Sequence, residues 1–540
     1  MAPDASPLSD DKGRPAGPPA PLCALHEVSV RYGARLANDR VSLTVRPGEV
    51  VALLGENGAG KSTLLHALYG FVGVSAGQVR YRGEVVTPSP ERAIAAGIGL
   101  VHQHFLLVPR LTVAENVVLG SEPRRLGVLL DRRRAVAQTA ALARKYGLDV
   151  DPERPVAELS VGEAQRVEIL KALYRGARCL LLDEPTAVLT PGEAARLLSV
   201  LREMLVEEAA GDNALVIVTH KLDEVLQVAD RAVVMRGGRL VAELHRSEFS
   251  AGELARAMVG RELQPIRRRA AVHVTESVGA TAESPLVVRD LRVVAEGVER
   301  VRGVSLHVPA GTIVGLAGVE GNGQRELCAA IAGLLPAAAG QVFLAGHEVS
   351  AASVRARKRR GLGFVPEDRQ RHGLVLDFSL AENLMLGDED HYVQAGGLGR
   401  GLGILAKTRL HATAQRLLAE HDVRPADPTL PARALSGGNQ QKLLLLRALY
   451  GGGTPPAVLL AAQPTRGVDI GAIESIHRAL LQARDRGCAI LLASAELDEL
   501  RTLCDRIAVM YRGQILAELP NHPGAPASRE RLGELLAGVM

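Results

Sequence analysis

At 540 residues the chain is too long for one core and suits two or more domains, and with 47% hydrophobic residues it has ample material to bury. Its formal net charge of +4 is spread over many residues of both signs, aromatics make up 3% and tryptophan is absent, which argues against a nucleic-acid surface or a base-stacking platform. Cys23, Cys179, Cys328, Cys488 and Cys504 form no C-x-x-C pair, so they predict small buried hydrophobes in a reducing cytosol and no zinc site.

Residues 1–20 are rich in Pro, Ala and Asp and lack an apolar h-region, which predicts a disordered tail and not a signal peptide. Nowhere does an apolar span reach the ~20 residues of a transmembrane helix. The run Val50 to Leu54 is apolar and β-branched and predicts a buried strand; Leu64 to Tyr69 predicts a helix. Between them Gly55-Glu56-Asn57-Gly58-Ala59-Gly60-Lys61-Ser62-Thr63 fits G-x-x-x-x-G-K-[ST]. Its glycines let backbone N–H groups curl around a phosphate, and the helix N-terminus adds partial positive charge to the same spot. Lys61 would reach the β- and γ-phosphates and Ser62 would ligate Mg²⁺. Further on, Cys179–Leu182 and Ala214–Thr219 predict two more buried strands, each ending beside a polar residue, which places Asp183 and His220 at strand ends near the loop. Leu180-Leu181-Leu182-Asp183-Glu184 has the form of a Walker B strand: Asp183 would hold Mg²⁺, and Glu184 would orient and deprotonate an attacking water.

The chain then repeats itself. Val41-Ser42-Leu43 returns as Val304-Ser305-Leu306, Ala76-Gly77-Gln78-Val79 as Ala339-Gly340-Gln341-Val342, and Ala114-Glu115-Asn116 as Ala381-Glu382-Asn383. The period is too long for a solenoid, so two whole domains of one fold are expected, over 21–263 and 285–540, joined by a polar linker at 264–284. Apolar strands alternate with helical stretches in each half, the pattern of an α/β parallel sheet.

Leu159-Ser160-Val161-Gly162-Glu163, with a P-loop upstream, Asp183-Glu184 downstream and Thr219-His220 beyond, resembles the L-S-G-G-Q signature of ATP-binding-cassette ATPases, with Val161 and Glu163 as departures. The resemblance covers essentially the whole chain. It implies two tandem P-loop NTPase domains, each a RecA-like α/β core with a helical subdomain and an N-terminal antiparallel β region. It further implies that Gln103 is the Q-loop glutamine and a Mg²⁺ ligand, that His220 is the switch histidine on the γ-phosphate, and that Tyr32 stacks on adenine.

The second half departs from this pattern. Gln324 and Arg325 stand where Lys61 and Ser62 would be, Ala462 and Gln463 replace Asp183 and Glu184, and Ala495 replaces His220. Its signature Leu435-Ser436-Gly437-Gly438-Asn439 is good, and Asp469 keeps a D-loop aspartate where the first half has Thr190. In the cassette family each ATP lies between one P-loop and the other domain's signature. That implies one complete site (Tyr32, Lys61, Ser62, Gln103, Asp183, Glu184 and His220 with Ser436, Gly437, Gly438, Asn439 and Asp469) and one degenerate site. Glu163 falls in the degenerate one, where a carboxylate ~4 Å from a phosphate oxygen would cost roughly 4 kcal/mol at an effective dielectric near 20.

Among tandem cassettes without membrane spans, the frame is similar to importer ATPases of the simple-sugar type, and more closely to their nucleoside-uptake relatives. The resemblance rests on Val101-His102-Gln103-His104-Phe105, on Gly363-Phe364-Val365-Pro366-Glu367-Asp368-Arg369 and on Ala461-Ala462-Gln463-Pro464-Thr465. It implies ATP and Mg²⁺, a place at the cytoplasmic face of the membrane, two permease subunits, a substrate-binding lipoprotein reached through them, and no nucleic acid. Docking of the permeases is expected at Phe105 to Pro109 and Asp368 to Leu376. A sugar importer and, more distantly, a ribosome-binding translation factor are the alternatives.

Overall fold

The structure is a computed structural model. It describes residues 21–33, 35–102, 105–125, 129–186, 189, 191–207, 213–260, 284–319, 321–393, 405–522, 524–536 and 538–539. The expected tail at 1–20 and all of the expected linker but Ser284 lie outside them. The chain divides into two compact units, Met1–Glu262 and Leu263–Met540.

Strands of the first unit are β1 (Cys23–Tyr32), β2 (Arg35–Val45), β3 (Val50–Gly55), β4 (Ala76–Tyr81), β5 (Glu84–Val86), β6 (Ile98–Val101), β7 (Arg124–Arg125), β8 (Leu129–Leu130), β9 (Cys179–Asp183), β10 (Ala214–Val218), β11 (Arg231–Arg236) and β12 (Arg239–His245). An antiparallel sheet runs β2-β1-β4-β5, and a six-stranded sheet runs β12-β11-β3-β10-β9-β6. All strands of the second sheet are parallel except the edge strand β12. β3, β9 and β10 are buried at every position, as a sheet covered on both faces requires. Those three strands are legible as apolar runs. β6 and β11 are not: the first is only four residues long, and the second carries an arginine at each end. Helices Val113–Val118, Arg132–Lys145 and Val161–Tyr174 pack together beside this core.

The second unit repeats the plan with β13 (Leu286–Ala295), β14 (Val298–Val308), β15 (Ile313–Ala317), β16 (Ala339–Leu344), β17 (His347–Glu348), β18 (Leu362–Val365), β19 (Val458–Ala462), β20 (Ala489–Ser494), β21 (Arg506–Tyr511) and β22 (Gln514–Pro520). Its sheets run β14-β13-β16-β17 and β18-β19-β20-β15-β21-β22.

The repeated tripeptides have structural reasons. In both copies of Ala-Glu-Asn the glutamate closes a capping box on a short helix, Glu115 with Thr112 and Glu382 with Ser379. The asparagine beside it is fully buried and clamps a preceding loop from both sides. Asn116 accepts from Val108 N at 2.8 Å and donates to Val108 O at 3.1 Å; Asn383 does the same to Val375, at 2.9 Å each way. The recurring Asp-Arg tethers the strand that leads into the P-loop: Asp230 Oδ2 accepts from Val50 N at 2.9 Å and Asp505 Oδ2 from Ile313 N at 2.8 Å.

Candidate nucleotide site

In the first unit β3 ends at Gly55, and the P-loop helix starts at Lys61 (Lys61–Tyr69), three residues earlier than the apolar run suggests. Gly60 caps that helix with φ +100°, and a Cβ there would come within 2.6 Å of Ala37 O, so only glycine fits. Among the described residues no side chain caps the helix, and no acid lies in its first turn, which leaves its N-terminal field for an anion. Lys61 is buried, and its ammonium donates back to Gly55 O at 2.7 Å and Glu56 O at 2.9 Å. The cation therefore sits inside the loop formed by Glu56, Asn57, Gly58 and Ala59, with Ser62 and Thr63 following on the helix.

Parallel pairing brings the other groups to the same edge. Val218 of β10 is level with Leu53 of β3 and with Asp183 of β9. Ser62 Oγ donates to Asp183 Oδ1 at 3.2 Å. Burial pushes the Asp183 carboxyl up, against the Ser62 hydrogen bond that lowers it. His220 Nδ1 lies 3.3 Å from Glu184 Oε1. Burial also pushes Glu184 up, but the hydrogen bond and charge of His220, with Lys61 and Lys221, outweigh it and hold this carboxyl below its ordinary value. Lys61, Ser62, Asp183, Glu184 and His220 thus form one cluster. Tyr32 lies at the end of β1 with half its surface exposed. Gln103 lies outside the described residues, but β6 pairs beside β9, with Val101 level with Leu182, and delivers the chain to this edge at residue 102.

In the second unit the corresponding edge carries other side chains. Gln324 Nε2 reaches Val319 O at 3.4 Å where Lys61 would hold a charge. Ala462 ends β19, and Gln463 Oε1 accepts from Ala495 N at 3.2 Å.

The signatures differ as well. The first signature helix begins at Val161 because Ser160 caps it: Ser160 Oγ accepts from Glu163 N and Glu163 Oε2 accepts from Ser160 N at 2.7 Å. Glu163 Oε1 also pairs with Arg154 at 2.7 Å. The Ser160 N–H donates to this carboxyl, and that bond is the largest of the effects holding the group below its ordinary value. Glu163 therefore occupies the Ser160 donor, and Arg154 offsets part of its negative charge. The S-x-x-E spacing of the capping box is present in the sequence. Thr190 lies outside the described residues.

In the second signature, Ser436 caps the helix Gly437–Tyr450, with Asn439 Nδ2 donating to Ser436 Oγ at 3.0 Å and no acid in the first turn. A Cβ on Gly438 would approach Asp469 Oδ2 to 3.0 Å, and Asp469 Oδ1 caps the next helix through Ala472 N at 2.8 Å. Ser436, Gly437, Gly438, Asn439 and Asp469 are therefore neighbours. Arg369 joins them: its Nη1 donates to Arg466 O at 3.1 Å, and its Nη2 would lie 2.7 Å from a Cβ on Gly437. No sequence signal marks that contact.

Beside the first cluster a cavity of ≈ 120 Å³ is lined by residues that include Tyr69, Phe71, His102, Leu106, Glu168 and Lys171. Phe71, Leu106 and Val108 expose large apolar surface around it. Leu106 is gripped through its backbone: its N–H donates to Glu168 Oε1 at 2.6 Å, and Lys171 Nζ donates to its carbonyl at 3.1 Å.

The ABC transporter family model matches residues 38–187 and 301–466. The chain is 44% identical to the guanosine import ATP-binding protein NupO of Bacillus subtilis (strain 168), over 93% of this chain and 94% of that protein. It is 42% identical to the nucleoside import ATP-binding protein NupA of Lactococcus lactis subsp. cremoris (strain MG1363), over 95% and 97%. It is also 42% identical to the glucose import ATP-binding protein TsgD13 of Haloferax volcanii, over 96% of each. With its two units of one α/β plan, the first carrying the Lys61, Asp183 and Glu184 cluster, the chain belongs to the ABC transporter family, as an ATP-hydrolysing protein of the tandem ATP-binding type.

Proposed function

We propose that this chain energises a nucleoside importer from a single hydrolytic site, built on the first P-loop. Two ATPase domains, 21–263 and 285–540, would be joined by the segment 264–284. The observation that carries the reading is the sorting of the side chains: Ser62–Asp183 and Glu184–His220 are paired in the first unit, and Gln324, Ala462, Gln463 and Ala495 stand in their places in the second.

In this reading Tyr32 stacks on the adenine, the loop 55–63 cradles the phosphates, and Lys61 turns from its own carbonyls to the β- and γ-oxygens. A hydroxyl and a carboxylate 3.2 Å apart are the hard oxygen donors that suit Mg²⁺. The cation we infer would be shared between Ser62, Asp183, Gln103 and the phosphates. When bound, Mg²⁺ neutralises charge developing between the β- and γ-phosphates. Glu184, held ionised, orients water and takes its proton, and His220 stabilises the γ-phosphate. Ser436, Gly437, Gly438, Asn439 and Asp469 would complete the site from the second domain.

The partners we infer are two membrane permeases and, through them, a substrate-binding lipoprotein, with the chain on the cytoplasmic face. No described helix is long and apolar enough to cross a membrane. The cavity at Phe71, His102 and Leu106 is the candidate permease seat in the first unit, and the segment 368–376 in the second. Guanosine and nucleoside import name the substrates of two relatives, and Ala461-Ala462-Gln463-Pro464-Thr465 is the form that favours a nucleoside over a simple sugar. Lys61→Ala or Glu184→Gln should abolish ATPase activity, whereas Gln324→Ala should leave most of it. Substantial turnover by the Glu184→Gln protein would sink the assignment. Uptake of labelled guanosine, ribose and glucose by cells with and without the protein decides the substrate.

A further inference from the structure

The mechanism above gives no role to the buried carboxylate Glu224. Glu224 lies in the first turn of the helix Leu222–Val228 and is 6% exposed. Its two oxygens bind two different loops. Oε1 accepts the hydroxyl of Thr186, two residues beyond Glu184, and Oε2 accepts the hydroxyl of Thr219, next to His220, at 2.7 Å. Lys221 closes the same knot: its N–H donates to Thr219 Oγ1 at 3.1 Å, and its ammonium donates to Thr186 O at 3.2 Å and lies 3.7 Å from Glu224 Oε1. The loop of the general base and the loop of the switch histidine are therefore tied to one rigid group, behind the 3.3 Å contact between Glu184 and His220.

The second unit separates what is scaffold from what is not. Glu499 stands where Glu224 does and keeps the first arm, accepting from Thr465 Oγ1 at 2.9 Å on its Oε1. The second arm is gone. Oε1 takes His477 as well, at 3.0 Å, and Oε2 has no partner among the described residues. Ser494, in the place of Thr219, still accepts from Glu496 N at 3.1 Å, as Thr219 does from Lys221 N, so only the bond to the carboxylate differs. Of the two arms, the one to the switch loop is kept where a histidine must be aimed and lost where Ala495 needs no aiming.

We propose that Glu224 is a positioning residue whose bond to Thr219 sets His220 against Glu184 during hydrolysis. The proposal rests on the reading of Glu184 and His220 as the acting pair. A loop displaced by about 1 Å costs on the order of 10²-fold in rate, so cutting this arm should act on kcat.

The test is steady-state ATPase of the full chain. Thr219→Val, nearly the same shape without the hydroxyl, should lower kcat at least about tenfold while the ATP KM stays within about twofold. Thr219→Ser should retain most of kcat, and Ser494→Val, in the second unit, all of it. In a His220→Ala background Thr219→Val should cause no further loss, because the arm acts through that ring. A general loss of folding would lower both backgrounds alike, and melting curves of each variant check it. Full kcat in Thr219→Val, or an equal fold-loss with and without His220, overturns the proposal. If His220→Ala itself keeps full kcat, the underlying catalytic pair falls, and this proposal with it. If His220→Ala fails but Thr219→Val does not, only the positioning role falls.

Discussion

The two units share a backbone feature at the edge where one carries Asp183-Glu184 and the other Ala462-Gln463. Glu184 sits at φ +48° and Gln463 at φ +49°, a left-handed conformation uncommon for either residue. Such an outlier at a catalytic carboxylate invites the reading that strain is part of the chemistry. Its presence at Gln463, which has no carboxylate, says otherwise: the turn belongs to the fold, and Glu184 is placed on it. What distinguishes the units is a handful of side chains, together with the second arm of a buried carboxylate.

That contrast can be broken most severely at the signatures. Gly437→Val makes the second signature like the first and drives a side chain onto Arg369, and ATPase activity should fall on the order of 10²-fold if this helix completes the hydrolytic site. The reciprocal Val161→Gly should leave turnover within about twofold of wild type if, as proposed, it faces Gln324, Ala462 and Gln463 in place of Lys61, Asp183 and Glu184. Equal losses from both would dissolve the asymmetry.

The shared scaffold should instead respond symmetrically. Asn116→Ala and Asn383→Ala each strip both bonds from a loop backbone, and each should cost about 2 kcal/mol in denaturant melts, with the two values close to one another. A large difference would mean that the clamp has become specialised in one unit.

A smaller effect is expected at Glu168, whose place in the second unit is taken by Leu444 on the signature helix. Burial raises the Glu168 carboxyl above its ordinary 4.5, although Lys171 and the Leu106 N–H oppose the shift. The folded protein then binds this proton more tightly than the unfolded chain, so stability is lost as pH rises through the two values. Glu168→Gln can keep the bond from Leu106 and removes that loss. The melting temperature should rise slightly near pH 8 and not near pH 4, as scanning calorimetry at the two pH values would show. Least of all should happen in Gln463→Glu, whose ATPase rate should match wild type: a carboxylate there finds neither a histidine nor a metal site.

How much of this is legible in the sequence follows from which interactions are local along the chain. The P-loop, Asp183-Glu184 and both signatures are contiguous motifs, and the repeat makes the losses at Gln324, Ala462 and Ala495 readable by offset. Glu163 is half legible: its charge stands out as a departure, but its capping box with Ser160 emerges only in the structure, although the spacing is there. Asn116 shows only as a repeated letter, because the loop it clamps is eight residues away. Glu224 is out of reach, since its three partners come from the ends of two strands and from its own helix. Neither Gln103 nor Thr190 is among the described residues, so their roles rest on the family pattern.

The hydrogen bond from Ala495 N to Gln463 has a consequence for descent. That edge is satisfied internally at this point: its amide side chain answers a backbone donor. A reversion Gln463→Glu would find no imidazole, a reversion Ala495→His no carboxylate, and neither would find the ammonium or hydroxyl absent at Gln324 and Arg325. No single step back gains anything that selection could keep. On the proposed single-site reading such a loss behaves as a ratchet, and lineages that inherit this arrangement should keep one hydrolytic site for as long as they keep the tandem chain.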